Sequence, residues 1–312
     1  MASQPPKISV VVPVYNSAGI LPRLVMELEA ALAKCSAEFE LILVNDASPD
    51  QSWTAIADLA RNYSWVHGIN LMRNAGQHNA LLCGIRAAKY EIVATIDDDL
   101  QNPPDQIPLL LAKLEEGFDV VYGTPDEEQH GLLRNLASVV TKIVLQKTMG
   151  AEIARNISAF RVFRAQVREA FHAYQGPFVS IDVLLTWGTT RFGAMRVRHE
   201  PRREGVSGYT LRKLILHALN MMTGFSVLPL QIASLVGFVF TVFGFCALAI
   251  VIVRYLIQGS VVPGFPFLAS LISIFSGAQL FALGIIGEYL ARVHFRLMDR
   301  PPYTVRSSTP GV

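Results

Sequence analysis

Thr95-Ile-Asp-Asp-Asp-Leu-Gln-Asn-Pro-Pro104 sets three consecutive carboxylates directly behind a short apolar run, residues 91–96, that reads as a β-strand. A strand ending in carboxylates is a place to hold a hard divalent cation. Mg²⁺ and Mn²⁺ take oxygen ligands, and Mg²⁺ is usually bound by one or two carboxylates plus the phosphates of a substrate. Alternation along an extended backbone sends Asp97 and Asp99 to one side and Asp98 to the other, which makes Asp97 and Asp99 the candidate metal pair. The competing reading is a solvated acidic turn that caps the helix expected from Pro104.

Working outward, residues 7–123 alternate short β-branched runs (8–12, 39–45, 67–71, 91–96, 119–122) with helical ones (21–33, 52–61, 76–88, 104–117). Strands alternating with helices of this length predict an α/β domain with a mostly parallel, Rossmann-like sheet and right-handed crossovers. Ligands of such sheets bind at the carboxyl ends of the strands. Polar residues gather at those ends: Pro13, Tyr15 and Asn16 after the first strand, Asp46 after the second, Arg73 and Asn74 after the third, and Asp97 to Asp99 after the fourth. Neither a Gly-x-Gly-x-x-Gly turn nor a phosphate-binding lysine loop is present, which disfavours a dinucleotide dehydrogenase or a P-loop enzyme.

The 312-residue chain is 51% hydrophobic, too apolar for an ordinary soluble protein, and the excess lies at its C-terminal end. No Asp, Glu, Lys or Arg occurs between Lys213 and Arg254, nor between Arg254 and Glu288. About 20 apolar residues cross a bilayer as a helix, so two spans are expected, near 228–253 and 267–290, joined by a turn at 258–266. Residues 209–223 place Leu211, Leu214, Ile215, Leu219 and Met222 at helical spacing, as in a helix lying in the headgroup layer. Arg212 and Lys213 precede the first span, and Arg292, Arg296, Arg300 and Arg306 follow the second. By the positive-inside rule both termini are cytoplasmic, in an inner membrane of bacterial type. The expected division is a catalytic domain at 1–208, an interfacial helix at 209–224, a two-span region at 225–291 and a tail at 292–312.

Cys35, Cys83 and Cys246 lack metal spacing and suit free thiols in a reducing compartment, and His78, His130 and His172 are isolated from one another. The net charge of +2, without a basic aromatic-rich patch, gives no sign of a nucleic-acid partner. Asp182 reads either as a base or sugar contact or as a helix cap, and Glu288 with Arg292 as a structural i,i+4 pair. Gly237, Gly244, Gly277, Gly284 and Gly287 permit close helix packing, which leaves room for a homo-oligomer.

Val10-Val-Val-Pro-Val-Tyr-Asn16, Leu43-Val-Asn-Asp-Ala-Ser48, Leu71-Met-Arg-Asn-Ala-Gly-Gln-His78 and the acidic run resemble successive motifs of glycosyltransferase family 2. The paired spans, with Gly287-Glu-Tyr-Leu-Ala-Arg292 closing the second, resemble its polyprenyl-phosphate branch. The resemblance implies a GT-A fold that transfers a glycosyl group, with inversion, from a UDP-, GDP- or dTDP-linked sugar to a polyprenyl phosphate such as undecaprenyl phosphate. It also implies roles. Pro13, Tyr15, Asn16, Asp46, Arg73 and Asp97 would contact the nucleotide, and Asp97 and Asp99 would hold Mg²⁺ or Mn²⁺. Asp99, Gln101, Arg134 and Arg202 would serve catalysis, the last within Arg202-Arg-Glu-Gly-Val-Ser-Gly-Tyr209. Ser158, Arg203, Ser207 and Arg212 would meet the acceptor phosphate. The chain departs from the family at Asn16, Asn45, Pro125, Arg155 and Gly208, which touches nucleotide and acceptor contacts but not the metal pair.

A phosphate acceptor is already largely ionised near pH 7, so it needs positioning cations rather than a general base. Two alternatives stand beside this reading: a transferase of the same fold acting on a hydroxyl of a glycolipid or polysaccharide, and a non-catalytic membrane scaffold or flippase partner. The intact Asp97-x-Asp99-x-Gln101 spacing argues against the latter.

Overall fold

A computed structural model of the protein describes residues 5–125, 156–176, 179–200, 228–258 and 264–311. These fall into two compact units, 5–200 together with 299–311, and 228–298.

The first unit is built on one eight-stranded sheet. In chain order its strands are β1 (Lys7–Val14), β2 (Glu38–Asn45), β3 (Val66–Leu71), β4 (Ile92–Thr95), β5 (Val120–Pro125), β6 (Arg161–Arg164), β7 (Phe192–Val197) and β8 (Val305–Ser308). Their spatial order is β7-β5-β6-β4-β1-β2-β3-β8. The run β4-β1-β2-β3 is parallel, as the alternating sequence predicts. The other half is mixed, because β6 inserts antiparallel between β4 and β5 while β7 lies parallel to β5.

β1 is buried at every position after Lys7, as in a parallel strand covered on both faces. The helices that cover the sheet are α1 (Leu21–Leu32), α2 (Ser52–Asn62), α3 (Gln77–Ala87), α4 (Ile107–Glu115) and α5 (Ile181–Gly188). α1 buries Leu21, Leu24, Val25, Leu28 and Leu32, the i, i+3, i+4, i+7 stripe of an amphipathic helix, and Pro22 fits its first turn. α3 lies close against β1 and β2 because residue 84 is glycine. A Cβ there would sit 2.4 Å from Val11 Cγ1 and 3.0 Å from Val44 Cγ2.

β8 belongs to the stretch expected only as a tail. It pairs antiparallel with β3, Ile69 opposite Ser308 and Asn70 opposite Ser307. Met72 N donates to the Thr304 carbonyl at 2.8 Å, and Thr309 N to the Gly68 carbonyl at 2.9 Å. All four β8 side chains are exposed, so no apolar pattern marks the strand.

The second unit holds α6 (Leu228–Gln258) and α7 (Phe265–Leu297), with Phe240 and Phe275 meeting edge to face at 5.8 Å. Among the described residues they contain the two stretches long and apolar enough to cross a membrane: Pro229–Arg254, mean hydropathy 2.8, and Ile274–Leu297, mean hydropathy 1.4. Arg292 Nη2 donates to Glu288 Oε1 at 2.8 Å, the expected i,i+4 pair. The expected interfacial helix at 209–224 lies outside the described residues.

Candidate active site

The carboxyl ends of β1, β2, β3 and β4 bring their exit loops together. Three of these loops contain a non-glycine residue in the left-handed region, Asn16 (φ 62°), Ala47 (φ 51°) and Leu100 (φ 56°). That conformation is costly for alanine and leucine and persists only where surrounding bonds impose it.

The bonds are visible. Asp46, at the end of β2, is buried, and its two oxygens accept from Ala75 N (2.7 Å) and Gly76 N (2.9 Å), clamping the β3 exit loop. Gly76 (φ 92°) then launches α3. Burial pushes the Asp46 carboxyl up, while the two amides and nearby Arg73 pull it down. Arg73 and Tyr15 are exposed at the rim of this edge. Asn45 Nδ2 donates to Asn70 Oδ1 at 2.9 Å, and the Ser48 hydroxyl donates to Asn45 Oδ1 at 2.6 Å. Asn45 thus joins two strand ends. Pro13, expected after the first strand, lies inside β1 and is buried; the β4 ladder stops at Val11, so no β4 partner lacks a donor at position 13.

The acidic run differs from its expected geometry. β4 ends at Thr95, and Asp97 to Asp99 form a turn, so strand alternation does not govern where they point. Asp97 Oδ1 accepts from Gln77 Nε2 at 2.7 Å, at the first turn of α3. Asp99 Oδ1 accepts from Gln101 N at 3.1 Å. Asp98 Oδ2 turns to the β1 exit loop, accepting from Tyr15 N at 3.2 Å and from the Ser17 hydroxyl at 2.5 Å. Asp98 is therefore set apart from its neighbours by its partners. The capping alternative fails: neither the 3₁₀ turn Pro104–Gln106 nor α4 receives a side-chain cap.

Burial pushes the Asp97 carboxyl up to about 7, the Asp99 and Asp98 charges push the same way, and Arg161 with the Gln77 hydrogen bond oppose them. A divalent cation would relieve this crowding of negative charge. Among the described residues no three His, Cys, Asp or Glu side chains form a complete cage. The donor set fits a cation held by one or two carboxylates and completed by substrate phosphates.

Behind the turn lies a buried group that the sequence reading missed. Arg161 of β6 is 1% exposed. Its Nε donates to Thr95 Oγ1 at 3.0 Å, its Nη1 to Asp182 Oδ1, and its guanidinium stands 5.9 Å from the centre of the Tyr122 ring. The Tyr122 hydroxyl donates to the same Asp182 oxygen at 3.2 Å. Asp182 is thus neither a helix cap nor an open carboxylate. The signal was an arginine inside the apolar run Phe160-Arg-Val-Phe163, since a charge in such a run must be paired.

Of the remaining candidates, Gln101 is half-buried, and its carbonyl accepts from Glu200 N at 2.8 Å. Ser158 lies just before β6, where its hydroxyl accepts from Phe160 N at 3.2 Å. Arg134, Arg202, Arg203, Ser207 and Arg212 lie outside the described residues. Cys35, Cys83 and Cys246 are free, and burial pushes the Cys83 thiol up to about 12, which leaves it inert.

Residues 9–171 match the family model described as glycosyl transferase family 2. The chain belongs to glycosyltransferase family 2. It is 33% identical over 303 residues to the undecaprenyl-phosphate 4-deoxy-4-formamido-L-arabinose transferase of Photorhabdus laumondii, covering 96% of this chain and 93% of that one. It is 34% identical to the transferase of the same name in Proteus mirabilis, with the same coverage. Among solved structures, it is similar to glucosyl-3-phosphoglycerate synthase from Mycobacterium tuberculosis, crystallised with Mn²⁺, UDP and glucosyl-3-phosphoglycerate (TM-score 0.52, 16% identity, 70% of this chain and 78% of that one). Mannosyl-3-phosphoglycerate synthase from Rubrobacter xylanophilus gives the same TM-score at 18% identity, over 69% of this chain and 72% of that one. These likenesses carry the GT-A fold. The family 2 chain is thus a glycosyltransferase whose GT-A sheet domain is followed by two candidate membrane helices.

Proposed function

We propose that the protein is an inverting, metal-dependent glycosyltransferase that moves a sugar from a nucleotide donor to a polyprenyl phosphate at the cytoplasmic face of the membrane. The carrying observation is the acidic turn at residues 97–99, set among the exit loops of β1, β2 and β3 in a chain that also has two bilayer-length apolar helices.

Asp97 and Asp99 hold Mg²⁺ or Mn²⁺, which supplies positive charge to the departing nucleoside diphosphate. Tyr15 offers an exposed ring at the rim, beside Arg73 and the Asp46 clamp, for the base and ribose; Pro13 and Asn16 shape that rim. Gln101, Arg134 and Arg202 serve the phosphates. Ser158, Arg203, Ser207 and Arg212 receive the acceptor phosphate. Undecaprenyl phosphate is the acceptor in the relatives' names, and 4-deoxy-4-formamido-L-arabinose the sugar.

A phosphate acceptor is favoured over a hydroxyl by the relatives, whose names give undecaprenyl phosphate, and on this reading Asp97, the carboxylate pushed up to about 7, is taken by the cation rather than left as a base. A hydroxyl needs a poised base, whereas an ionised phosphate needs none.

In the membrane arrangement we propose, residues 1–208 form the cytoplasmic catalytic domain together with β8, 209–224 an interfacial helix, 225–291 the two spans, and 292–312 the cytoplasmic stretch that returns β8 to the sheet. Support comes from connectivity: β8, after both apolar helices, joins the same sheet as the strands before them, so the chain crosses an even number of times. The test incubates purified enzyme with Mn²⁺, undecaprenyl phosphate and radiolabelled UDP-, GDP- and dTDP-sugars, including UDP-4-deoxy-4-formamido-L-arabinose. Label from one donor enters the lipid fraction, in proportion to the added phosphate. Label entering lipid only with a hydroxyl-bearing glycolipid refutes the acceptor class.

A further inference from the structure

The β1 exit loop is held by its neighbours, one amide after another. Tyr15 N donates to Asp98 Oδ2 (3.2 Å), Asn16 N to Ser48 Oγ (3.1 Å), Ser17 N to Ser52 Oγ (3.0 Å) and Ala18 N to Asp50 Oδ2 (3.2 Å). Four successive backbone donors thus meet four side-chain oxygens from other loops. Three of those oxygens come from the segment after β2 and one from the acidic turn after β4. The Ser17 hydroxyl lies 2.5 Å from Asp98 Oδ2 and 3.1 Å from the Tyr15 carbonyl. It has one proton, and the shorter contact to the charged acceptor takes it. The loop needs such restraint because Asn16 sits at φ 62° and Tyr15 projects into solvent, 51% exposed.

We propose that Asp98, the middle carboxylate of the run, is a positioning residue that fixes Tyr15 against the metal turn and so sets affinity for the nucleotide donor. The assignment rests on the reading above, in which Tyr15 meets the nucleoside and Asp97 with Asp99 meet the diphosphate. Asp98 is covalently next to both metal carboxylates and hydrogen-bonded to the loop that presents the ring. Its two bonds therefore set the span between the groups that grip the nucleoside and the diphosphate of the donor. Asp98 itself touches neither the cation nor the sugar.

The test uses the full-length enzyme in detergent with Ser17→Ala, Asp98→Asn, Asp98→Ala and the Ser17→Ala/Asp98→Ala double variant. Donor KM, acceptor KM, kcat and the Mn²⁺ activation constant are measured, together with Mn²⁺-dependent binding of UDP, GDP and dTDP. Asp98→Ala raises donor KM about tenfold, as loss of a charge-assisted hydrogen bond predicts. Ser17→Ala raises it in the same direction, and the double variant is no worse than Asp98→Ala, because both changes break one link. Asp98→Asn, which keeps an acceptor oxygen, recovers part of the loss. Acceptor KM, kcat and the Mn²⁺ constant at saturating donor stay within about threefold, which a loss of folded protein does not mimic.

A raised Mn²⁺ constant with donor KM unmoved makes Asp98 a ligand and overturns the assignment, as does an unmoved donor KM in both Ser17→Ala and Asp98→Ala. Parallel loss of kcat and both KM values reduces Asp98 to a fold element. If Asp98→Ala does not fold, Ser17→Ala alone decides, through the same KM-against-kcat split. Wild-type enzyme that binds none of the three nucleoside diphosphates overturns the functional reading and this proposal together. Wild type that binds, with Asp98→Ala binding equally well, overturns only the role of Asp98.

Discussion

Asp182→Ala would strip the carboxylate from a guanidinium that is 1% exposed and leave Arg161 with the Thr95 hydroxyl and the Tyr122 ring. Removing one partner of a buried ion pair costs about 3–5 kcal/mol, because the remaining charge is left uncompensated in a poorly solvating medium. For a domain of this size each kcal/mol moves the melting temperature by roughly 2–4 °C, so a fall of about 6–20 °C is expected. Tyr122→Phe removes a single hydrogen bond to the same oxygen and should cost about 1 kcal/mol. The combined change Arg161→Met, Asp182→Leu removes both charges and should recover much of the loss, since buried pairs are often replaced by apolar residues at little cost. Thermal unfolding of the purified full-length enzyme in detergent, followed by intrinsic fluorescence, reads all three, with kcat measured well below the transition. The outcome that refutes this reasoning is an Asp182→Ala protein that melts within about 2 °C of wild type, less than 1 kcal/mol on the same scale, yet has lost more than about a hundredfold in kcat, as a missing general base would cause.

Other outcomes follow from the same structure. Asp99→Asn, which keeps size and removes charge, should abolish Mn²⁺-stimulated turnover while leaving the fold intact; undiminished turnover removes Asp99 from the metal site. Asp97 binds its proton more tightly in the folded state, up to about 7 from 3.8, so its contribution to stability is full below the unfolded value and is lost as pH rises between the two. Because a cation needs the carboxylate ionised, Mn²⁺ affinity should rise with pH towards about 7 and then level off; a flat Mn²⁺ titration over that window refutes the shift. Gly84→Ala, with its new methyl 2.4 Å from Val11 Cγ1, should cost roughly 1–3 kcal/mol in urea unfolding, and an unchanged midpoint refutes the close helix approach. Deleting residues from Thr304 onward breaks the Met72 to Thr304 and Thr309 to Gly68 pairings and bares the β3 edge. A loss of about 2–3 kcal/mol with increased aggregation is expected, and unaltered stability would mean that β8 adds nothing.

The parallel half of the fold was legible because each element there is decided locally. β1 and β2 carry apolar runs, residues 10–14 and 41–44, buried on both faces, and α1 has an unbroken i, i+3, i+4 stripe. Their ends follow from the residues that stop them. The mixed half was less legible, since β6 carries Arg161 and its pairing with β4 joins residues more than sixty positions apart. β8 could not be read at all: it is short, polar and fully exposed, and what makes it a strand is the unpaired edge of β3, a partner more than 230 residues earlier. At the site, Tyr15, Asp46, Arg73 and the acidic run lie just past strand ends, where the sequence placed them, but their partners were not readable. Alternation alone set Asp98 apart from Asp97 and Asp99, for a strand that the structure ends at Thr95, and only the folded loops give the first to Gln77, the second to Tyr15 and Ser17, and the third to the Gln101 amide.

That division of partners explains how a pocket rim made of loops can be stiff without bound ligand. Asn16, Ala47 and Leu100 each hold a left-handed backbone, and their loops are tied by side-chain oxygens that accept amide protons: Asn16 N goes to Ser48, Asp46 beside Ala47 takes Ala75 N, and Asp99 beside Leu100 takes Gln101 N. The restraint runs from loop to loop and closes through Gln77, at the start of α3, whose amide donates to Asp97 of the fourth loop. Asp46 of the second loop fixes the third, Ser48 and Asp50 of the second fix the first, and Asp98 of the fourth also fixes the first. A network closed in this way spreads the cost of three strained residues over many charge-assisted bonds, so no single loop need be stable alone. It also confines adjustable chemistry to the groups that point outward. On the proposed reading, the exposed Tyr15 and Arg73 side chains would meet the nucleoside apart from the turn that carries Asp97 and Asp99. By that logic, variants that change donor preference should arise at the exposed rim residues, whereas changes at Ser48, Asp50 or Asp98 should weaken every donor alike.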